Sequence, residues 1–292
     1  MKIAIFGKQF GDDFQEKCKL LFRLLANENV ELYVYGPFFD FLTKEKNINV
    51  EAKVLFDSYA NLPDCELIFS IGGDGTFLET VTYVRGRNIP IVGINVGRLG
   101  FLADISMQEL PEAINEIING EYRIRKVNLL RVDTETNAFG DLNFALNELA
   151  IHKRDSASMI TIHTYLNDSY LNSYWADGLI ISTPIGSTAY SLSVGGPILH
   201  PLCNEFIISP IAPHNLSVRP LVVPNDSKIT LKVESRREEF MASLDLRSKI
   251  IDNNVSLHIR KADFTISVAD RINNDFFATL RSKLMWGADK RN

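Results

Sequence analysis

Residues 66–76 have the sequence ELIFSIGGDGT, in which an apolar run passes directly into a glycine-rich turn. The run predicts a buried strand over Glu66–Ile71, and the following pattern predicts a helix over residues 76–86. Glycines let main-chain N–H groups approach an oxyanion, and the N-terminus of a helix adds a favourable dipole. The strand, turn and helix therefore predict a phosphate site at the edge of a parallel sheet.

The turn differs from the two common nucleotide-binding loops. The chain has no G-x-x-x-x-G-K-[ST] segment, and the turn does not match G-x-G-x-x-G, so a P-loop protein and an ordinary Rossmann dehydrogenase are both disfavoured. Asp74 is the unusual member, because phosphates repel a carboxylate unless a cation intervenes or the carboxylate acts on a nearby hydroxyl. Both options indicate phosphoryl transfer. The alternative is that Asp74 only closes a tight turn.

The flanking sequence predicts two domains of different class. Residues 1–120 alternate apolar runs with helical spacing, as a helix-covered parallel sheet requires, whereas residues 121–270 contain short alternating runs with little helix between them. We therefore predict an α/β nucleotide-binding domain followed by an all-β, sandwich-like domain, with residues 271–292 packing back on the first domain. Further predicted strands are Lys2–Phe6, Glu31–Tyr35, Ile89–Asn95, Leu142–His152, Gly178–Ser182, Ser227–Val233, Val255–Arg260 and Phe264–Val268, and predicted helices cover residues 12–27 and the segment from the Ser106/Glu109 capping box to Asn119-Gly120.

Four smaller signals complete this pattern. Asn167-Asp168 between two alternating runs predicts a hairpin. Asp177–Pro197 places small hydroxyl residues and glycines between two apolar runs, which favours a ligand-lining loop over a core strand, with a plain solvated loop as the alternative. Asn147-Glu148 opens a predicted strand, where the carboxylate could bind a diol, although a surface pair is the alternative. Leu280, Leu284, Met285 and Trp286 recur at helical spacing near the C-terminus.

Composition excludes several classes of function. The 31 Lys and Arg against 36 Asp and Glu give a net charge of −5, so no basic excess is available for a nucleic-acid backbone. The three cysteines are far apart, and the five histidines lack ligand spacing, so we assign no metal ligand among the side chains. No apolar run approaches the roughly 20 residues of a membrane span. We expect a cytoplasmic protein with no nucleic-acid or membrane partner.

The combination of Gly72–Thr76, the segment from Gly97 to Leu102, Asn147-Glu148 and Asp177–Pro197 resembles the NAD kinase family. The resemblance extends over most of the chain and implies the fold shared by NAD kinases and diacylglycerol kinases. It implies phosphorylation of the adenosine-ribose 2′-hydroxyl of NAD to give NADP, with ATP or another phosphoryl donor and a divalent metal, Mg²⁺ being expected. It also implies a homo-oligomer, dimer or tetramer, whose substrate site a neighbouring subunit completes.

The resemblance assigns a role to each matching residue. Asp74 would be the base, and Asn147 and Glu148 would hold adenine and ribose. Asp177 and Trp175 would lie toward the nicotinamide half, and Tyr190 would stack on adenine. The remaining nucleotide-binding positions would be Gly72, Gly73, Gly75 and Thr76 at the phosphates, Thr188, Ala189, Ser191, Leu192 and Ser193 along the adenine wall, and Arg247 as a further substrate contact.

Two segments depart from the family pattern. Ile185 replaces the usual Thr, which puts a polar contact there in doubt, and Leu244–Arg247 stands in place of Asp-Gly-Gln. Two other functions remain open at this point. A lipid or diacylglycerol-type kinase would share the turn, but lacks support from Asn147-Glu148 and Asp177–Pro197. A dinucleotide-binding regulator without turnover would not need Asp74 in the turn.

Overall fold

The chain folds as two units, which a computed structural model describes over residues 1–97, 100–106, 108–154, 158–273 and 275–285. Unit 1 comprises Met1–Lys126 and the described residues from Ile266 onward, and unit 2 comprises Val127–Thr265. Within those described ranges, no helix is long and apolar enough to cross a membrane.

The helices and strands are numbered in chain order. The helices are α1 (Gln15–Ala26), α2 (Gly36–Asp40), α3 (Asp74–Val84), α4 (Leu110–Ile118), α5 (Tyr190–Ser193) and α6 (Phe276–Leu284). The strands are β1 (Lys2–Gly7), β2 (Glu31–Tyr35), β3 (Val54–Phe56), β4 (Leu67–Gly72), β5 (Ile91–Asn95), β6 (Tyr122–Asp133), β7 (Phe144–Ala145), β8 (Glu148–His152), β9 (Ile160–Leu166), β10 (Ser169–Ala176), β11 (Gly178–Ser182), β12 (Glu205–Ile211), β13 (Leu221–Pro224), β14 (Ile229–Glu234), β15 (Glu239–Leu244), β16 (Arg247–Asp252) and β17 (Leu257–Arg271).

Unit 1 contains a parallel sheet in the order β5-β4-β1-β2-β3. Residues 67–72 of β4 are buried throughout, as a strand covered on both faces requires. Helix α1 buries Cys18, Leu21, Phe22 and Leu25 at three- and four-residue intervals. The α/β prediction for the first part of the chain is therefore confirmed.

In unit 1 two predicted helix starts are wrong, and the apolar residues near the C-terminus are mostly exposed where the structure describes them. Helix α3 begins at Asp74 rather than at residue 76, so the end of the turn forms the first helical turn. The Ser106 N–H does donate to Glu109 Oε2, at 3.2 Å, but helix α4 begins only at Leu110. In α6 only Leu280 is buried, whereas Leu284 and Met285 are exposed, and Trp286 lies outside the described residues.

Unit 2 contains antiparallel strand pairs in two sheets. One has the order β13-β12-β11-β8-β15-β16, and in the other β9 pairs with β10 and β14, while β14 pairs with Leu257–Ile259 of β17. Alternate side chains from both sheets, including Ile160 and Ile162 of β9 and Leu179 and Ile181 of β11, form one apolar core. This arrangement confirms the β-rich, sandwich-like fold.

The hairpin predicted at Asn167-Asp168 joins β9 to β10. Both residues have positive φ, 49° and 65°, as a two-residue type I′ turn requires. By contrast, the runs predicted as separate strands over 255–260 and 264–268 form the single strand β17. The residues between them, Lys261–Asp263, remain in an extended conformation.

Candidate functional site

Asp74 is the first residue of α3, and main-chain donors from residues 101–103 hold its carboxylate. Oδ2 accepts the N–H of Phe101 at 2.9 Å, and Oδ1 accepts those of Leu102 at 2.9 Å and Ala103 at 3.1 Å. A carboxylate offers about four lone-pair positions, so these bonds leave one on Oδ2 for a further donor. A Cβ at Gly100 would overlap this carboxylate, which explains glycine there. The side chain is therefore fixed and, among the residues that the structure describes, retains one acceptor position.

The glycine turn before Asp74 is packed on one side and open on the other. A Cβ at Gly72 would overlap the side chain of Thr76, which is itself buried. A Cβ at Gly73 would meet nothing within 4 Å, so space remains beside the first turn of α3, where Gly75 is exposed. The N-terminus of a helix favours anions at such a position. The geometry of unit 1 thus suits a phosphate group beside a fixed carboxylate.

In unit 2, Asn147 and Glu148 are both buried at the start of β8. The buried carboxylate of Asp245 accepts the main-chain N–H groups of Leu146 at 2.9 Å, Asn147 at 2.8 Å and Glu148 at 3.2 Å. This fixes the backbone but leaves Asn147 Oδ1 and Glu148 Oε2 buried without a hydrogen-bond partner in the described chain. Buried polar atoms are normally paired, so both atoms are suited to donors supplied by a ligand.

Glu148 is also electrostatically unusual. Burial, followed by the nearby charge of Asp245, raises the pKa of its carboxyl to about 8, although the main-chain N–H of Tyr190 opposes this shift. Near neutral pH much of the Glu148 population is therefore protonated. A protonated carboxyl both donates and accepts hydrogen bonds, which suits recognition of a ribose hydroxyl or a base edge.

The 177–197 segment forms short helical turns around this pair rather than a simple loop. Thr183 Oγ1 donates to the carbonyl of Leu146 at 2.5 Å. A Cβ at Gly186 would overlap the carbonyl of Asn147, so only glycine allows this close approach. Ile185, which stands where the family usually has Thr, is buried, and this burial accounts for an apolar residue there. The segment therefore packs directly against Asn147-Glu148.

Tyr190, at the start of α5, has a partly exposed ring that lies parallel to the ring of His152. The ring centroids are 5.6 Å apart and the interplanar angle is 17°. Thr188 and Ala189 immediately precede Tyr190 and are half-buried, and Ser193 is exposed. Ser191 is buried, and its hydroxyl lies 3.2 Å from that of Ser209, so this side chain faces the protein interior.

The other predicted contacts in unit 2 lie in separate local arrangements. Asp177 forms a 2.5 Å ion pair with Lys153, and the half-exposed Trp175 contacts His214, with ring centroids 4.4 Å apart. Arg247 donates to the carbonyls of Leu142 and Phe144 and lies 3.9 Å from Asp245. Its guanidinium thus supports the strand that leads to Asn147, and a direct substrate contact stays a prediction.

Asp245 is a positioning residue that sequence reasoning missed. In the sequence, residues 244–247 stand out only as a departure from a family pattern. An aspartate between the alternating segments of β15 and β16 does indicate a turn, and Asp245 has a positive φ of 51°. No sequence signal shows that its carboxylate points inward to three main-chain N–H groups.

The described residues contain no group of three or more His, Cys, Asp or Glu side chains that could hold a metal ion. A resident cage of protein ligands for a divalent cation therefore does not fit the side chains in these ranges. Mg²⁺ commonly uses few protein ligands together with substrate phosphates and water.

Known proteins match the sequences of both units. The model of the ATP-NAD kinase N-terminal domain matches residues 39–122, and that of the ATP-NAD kinase C-terminal domain matches residues 146–279. A protein named NAD kinase from Cytophaga hutchinsonii is 45% identical over 295 residues, with 100% of each chain covered. One of the same name from Bacteroides fragilis (strain ATCC 25285) is 47% identical over 291 residues, again with 100% of each chain covered.

Two solved structures share the fold. Yeast NADH kinase complexed with NADH has a TM-score of 0.86 at 22% identity, covering 99% of this chain and 89% of that one. An NAD kinase from Archaeoglobus fulgidus in complex with ATP has a TM-score of 0.76 at 27% identity, covering 98% of this chain and 99% of that one. Since the two family models match most of the chain and the bacterial relatives align over its full length, the chain belongs to the NAD kinase family of phosphotransferases, which act on an alcohol group.

Proposed function

We propose that the chain transfers a phosphoryl group from ATP to the 2′-hydroxyl of the adenosine ribose of NAD, giving NADP. The observation that carries this proposal is the fixed carboxylate of Asp74 at the first residue of α3, which retains one open acceptor position. Support also comes from the full-length relatives named NAD kinase and from the fold neighbour complexed with ATP.

In this mechanism Asp74 acts as the general base. A secondary hydroxyl is a poor nucleophile, so a carboxylate that accepts its proton assists attack on the γ-phosphorus of ATP. The ribose oxygen forms the new bond to phosphorus, the bond from that phosphorus to the β,γ-bridging oxygen breaks, and ADP leaves. The space at Gly73 and the dipole of α3 would receive phosphate oxygens, with Gly72, Gly75 and Thr76 forming the rest of the turn.

The residues of unit 2 would bind NAD. Asn147 Oδ1 and Glu148 Oε2, both buried without partners in the described chain, would accept hydrogen bonds from the adenosine moiety. The exposed face of Tyr190 would stack on adenine, beside Thr188, Ala189, Leu192 and Ser193. Asp177 and Trp175 would lie toward the nicotinamide half.

In this proposal the phosphoryl donor brings the divalent metal to the site. Because the described side chains offer no metal-binding cluster, we expect Mg²⁺ to arrive on the phosphates of ATP. When bound there, the ion neutralises charge on the phosphate chain. Two further features belong to the proposal: a cytoplasmic location, which the composition favours, and a homo-oligomeric dimer or tetramer, which rests on the family resemblance.

The test is incubation of the purified protein with NAD, ATP and MgCl₂, followed by chromatographic detection of NADP and assignment of the phosphate to the 2′ position by NMR. Parallel reactions replace ATP by other nucleoside triphosphates or polyphosphate, and NAD by NADH or a diacylglycerol. Formation of 2′-phosphorylated product is expected. Folded protein that binds NAD but makes no product with any donor and metal would instead be a regulator, whereas phosphorylated diacylglycerol would indicate the lipid kinase.

A further inference from the structure

Lys283, on the C-terminal helix α6, has a buried ammonium group that its own chain does not satisfy. Its Nζ is buried and has no hydrogen-bond partner among the residues that the structure describes. Nζ lies over an aromatic face, 4.5 Å from the ring centroid of Phe101. An ammonium carries three donors, and burying them unpaired is costly. The position is therefore suited to an acceptor that a ligand supplies.

The helix holds Lys283 in this position. Asp275 caps α6 by accepting the main-chain N–H groups of Phe277 at 3.0 Å and Ala278 at 3.2 Å. Leu280 is 1% exposed and anchors the helix, and Lys283 follows it by three residues, so both side chains lie on the same face. Arg281, by contrast, has an exposed side chain near Asp275. The two basic residues of the last turn thus have different environments.

The surroundings of Lys283 belong to the same part of unit 1 as Asp74. The N–H of Phe101 donates to Asp74 Oδ2 at 2.9 Å, while its ring faces the ammonium. Burial lowers the pKa of Lys283 to about 8, and the carboxylates of Asp74 and Asp104 oppose this shift. Burial and the charge of Asp270 raise the pKa of Asp104 to about 6, so this carboxyl is still largely ionised near pH 7. Asp74 already accepts three main-chain hydrogen bonds.

We infer that Lys283 is a phosphate-binding residue that contacts the phosphate chain of the phosphoryl donor beside the Gly72–Thr76 turn. The inference rests on the proposed function and adds the cation that holds the donor. A phosphate chain brought to this turn meets the carboxylate of Asp74, so a compensating positive charge is needed there. A lysine ammonium supplies a point charge with three donors, which suits phosphate oxygens.

The experiment compares Lys283→Met with Arg281→Met, a matched control that removes a basic residue from the exposed face of the same turn. Binding of inorganic tripolyphosphate and of ATP is measured by isothermal titration calorimetry, and the KM values for ATP and NAD are measured separately. Loss of a charge-assisted hydrogen bond predicts that Lys283→Met weakens tripolyphosphate binding about 10-fold or more and raises the KM for ATP. The KM of Lys283→Met for NAD should stay near the wild-type value. The affinities of Arg281→Met for tripolyphosphate and for ATP should also stay near the wild-type values.

Equal tripolyphosphate affinity in wild type and Lys283→Met would overturn the inference. A lower unfolding temperature with unchanged affinity would do the same, since Lys283 would then be a structural partner of the nearby carboxylates. Should Lys283→Met not fold, Lys283→Gln keeps a hydrogen-bonding head group without the charge, and the same expectation applies. The binding measurement needs no turnover. If the wild-type protein binds tripolyphosphate through Lys283 but makes no NADP, the proposed function is refuted and this inference still holds.

Discussion

The carboxylate of Asp74 has two separable tasks, because it accepts three main-chain hydrogen bonds and also has a proposed role as base. Asp74→Asn keeps the shape but replaces an acceptor oxygen by an amide NH₂ that faces an N–H donor. We expect turnover to fall about 10²–10⁴-fold, NAD affinity to change little and the unfolding temperature to drop. Steady-state kinetics, NAD titration and thermal unfolding measure these effects. If the folded variant has wild-type turnover, Asp74 is not the general base.

Glu148 gives a pH-dependent prediction for the protein without ligand. Its pKa of about 8 in the folded state lies above the ordinary glutamate value of 4.5, so the native state binds more protons between those pH values. Stability must then decrease as the pH rises through that window. Glu148→Gln removes the effect, so the unfolding temperature of the variant should rise relative to wild type between pH 5 and pH 8.5, by about a few degrees.

The measurement for Glu148→Gln is calorimetry across that pH range, with NAD titration at each pH as a functional readout. We expect the variant to be more stable above neutral pH and to bind NAD more weakly, because Gln replaces one carboxyl oxygen by an NH₂ group that cannot accept a hydrogen bond. A constant difference in unfolding temperature across the range would show that Glu148 has an ordinary pKa in the folded protein.

Among the helices and strands, the clearest test concerns the cap of α6. Asp275→Ala removes the side-chain acceptor for two main-chain N–H groups at the start of the helix. We expect a cost of about 1 kcal/mol, confined mainly to α6, and faster hydrogen exchange over residues 276–284. Asp275→Ser keeps a capping oxygen and should retain most of the protection. Unchanged exchange in Asp275→Ala would mean that burial of Leu280 alone holds the helix.

Strongly periodic or fully buried elements could be predicted from the sequence, and exposed edge strands could not. The apolar runs of β1, β2 and β4 and the spacing of α1 are local patterns that follow directly from burial. Strands β13 and β16 lie at the edges of a sheet, and much of each is exposed, so their sequences carry little hydrophobic pattern. Their pairing depends on contacts between residues far apart in the chain.

The candidate site residues divide in the same way. The turn at Asp74 is a candidate because of its unusual local sequence, whereas the pair Asn147-Glu148 is a candidate only through the family resemblance. Asp245 and Lys283 could not be identified, since their importance depends on where the fold directs one carboxylate and one ammonium. A single buried charge leaves no periodic signal in a sequence.

The surface of unit 2 is consistent with a partner subunit in a larger assembly. Its six-stranded sheet ends at β13 and β16, and apolar residues on or beside these edge strands are exposed: Leu221 and Val222 near one edge, and Leu246 and Ile250 near the other. Trp175, in the neighbourhood of Asp177, is 50% exposed in the isolated chain. Exposed strand edges with apolar side chains favour association, and closed symmetric assemblies are its common form.

We therefore predict that the active species is a homo-oligomer in which Asp177 of one subunit completes the site of another subunit's Asp74. Asp74→Asn and Asp177→Ala should each be inactive alone, yet mixed assemblies formed by co-expression should regain part of the activity, because some sites contain both intact residues. Light scattering gives the mass of the active species, and differently tagged subunits allow mixed assemblies to be isolated. A fully active monomer, or purified mixed assemblies without activity, would show that each subunit carries a complete site. Asp177 forms an ion pair with Lys153, so Lys153→Met serves as a control for loss of that pair alone. If Lys153→Met is as inactive as Asp177→Ala, and mixed assemblies of Lys153→Met with Asp74→Asn regain no activity, the ion pair supports the fold of its own subunit rather than a shared site.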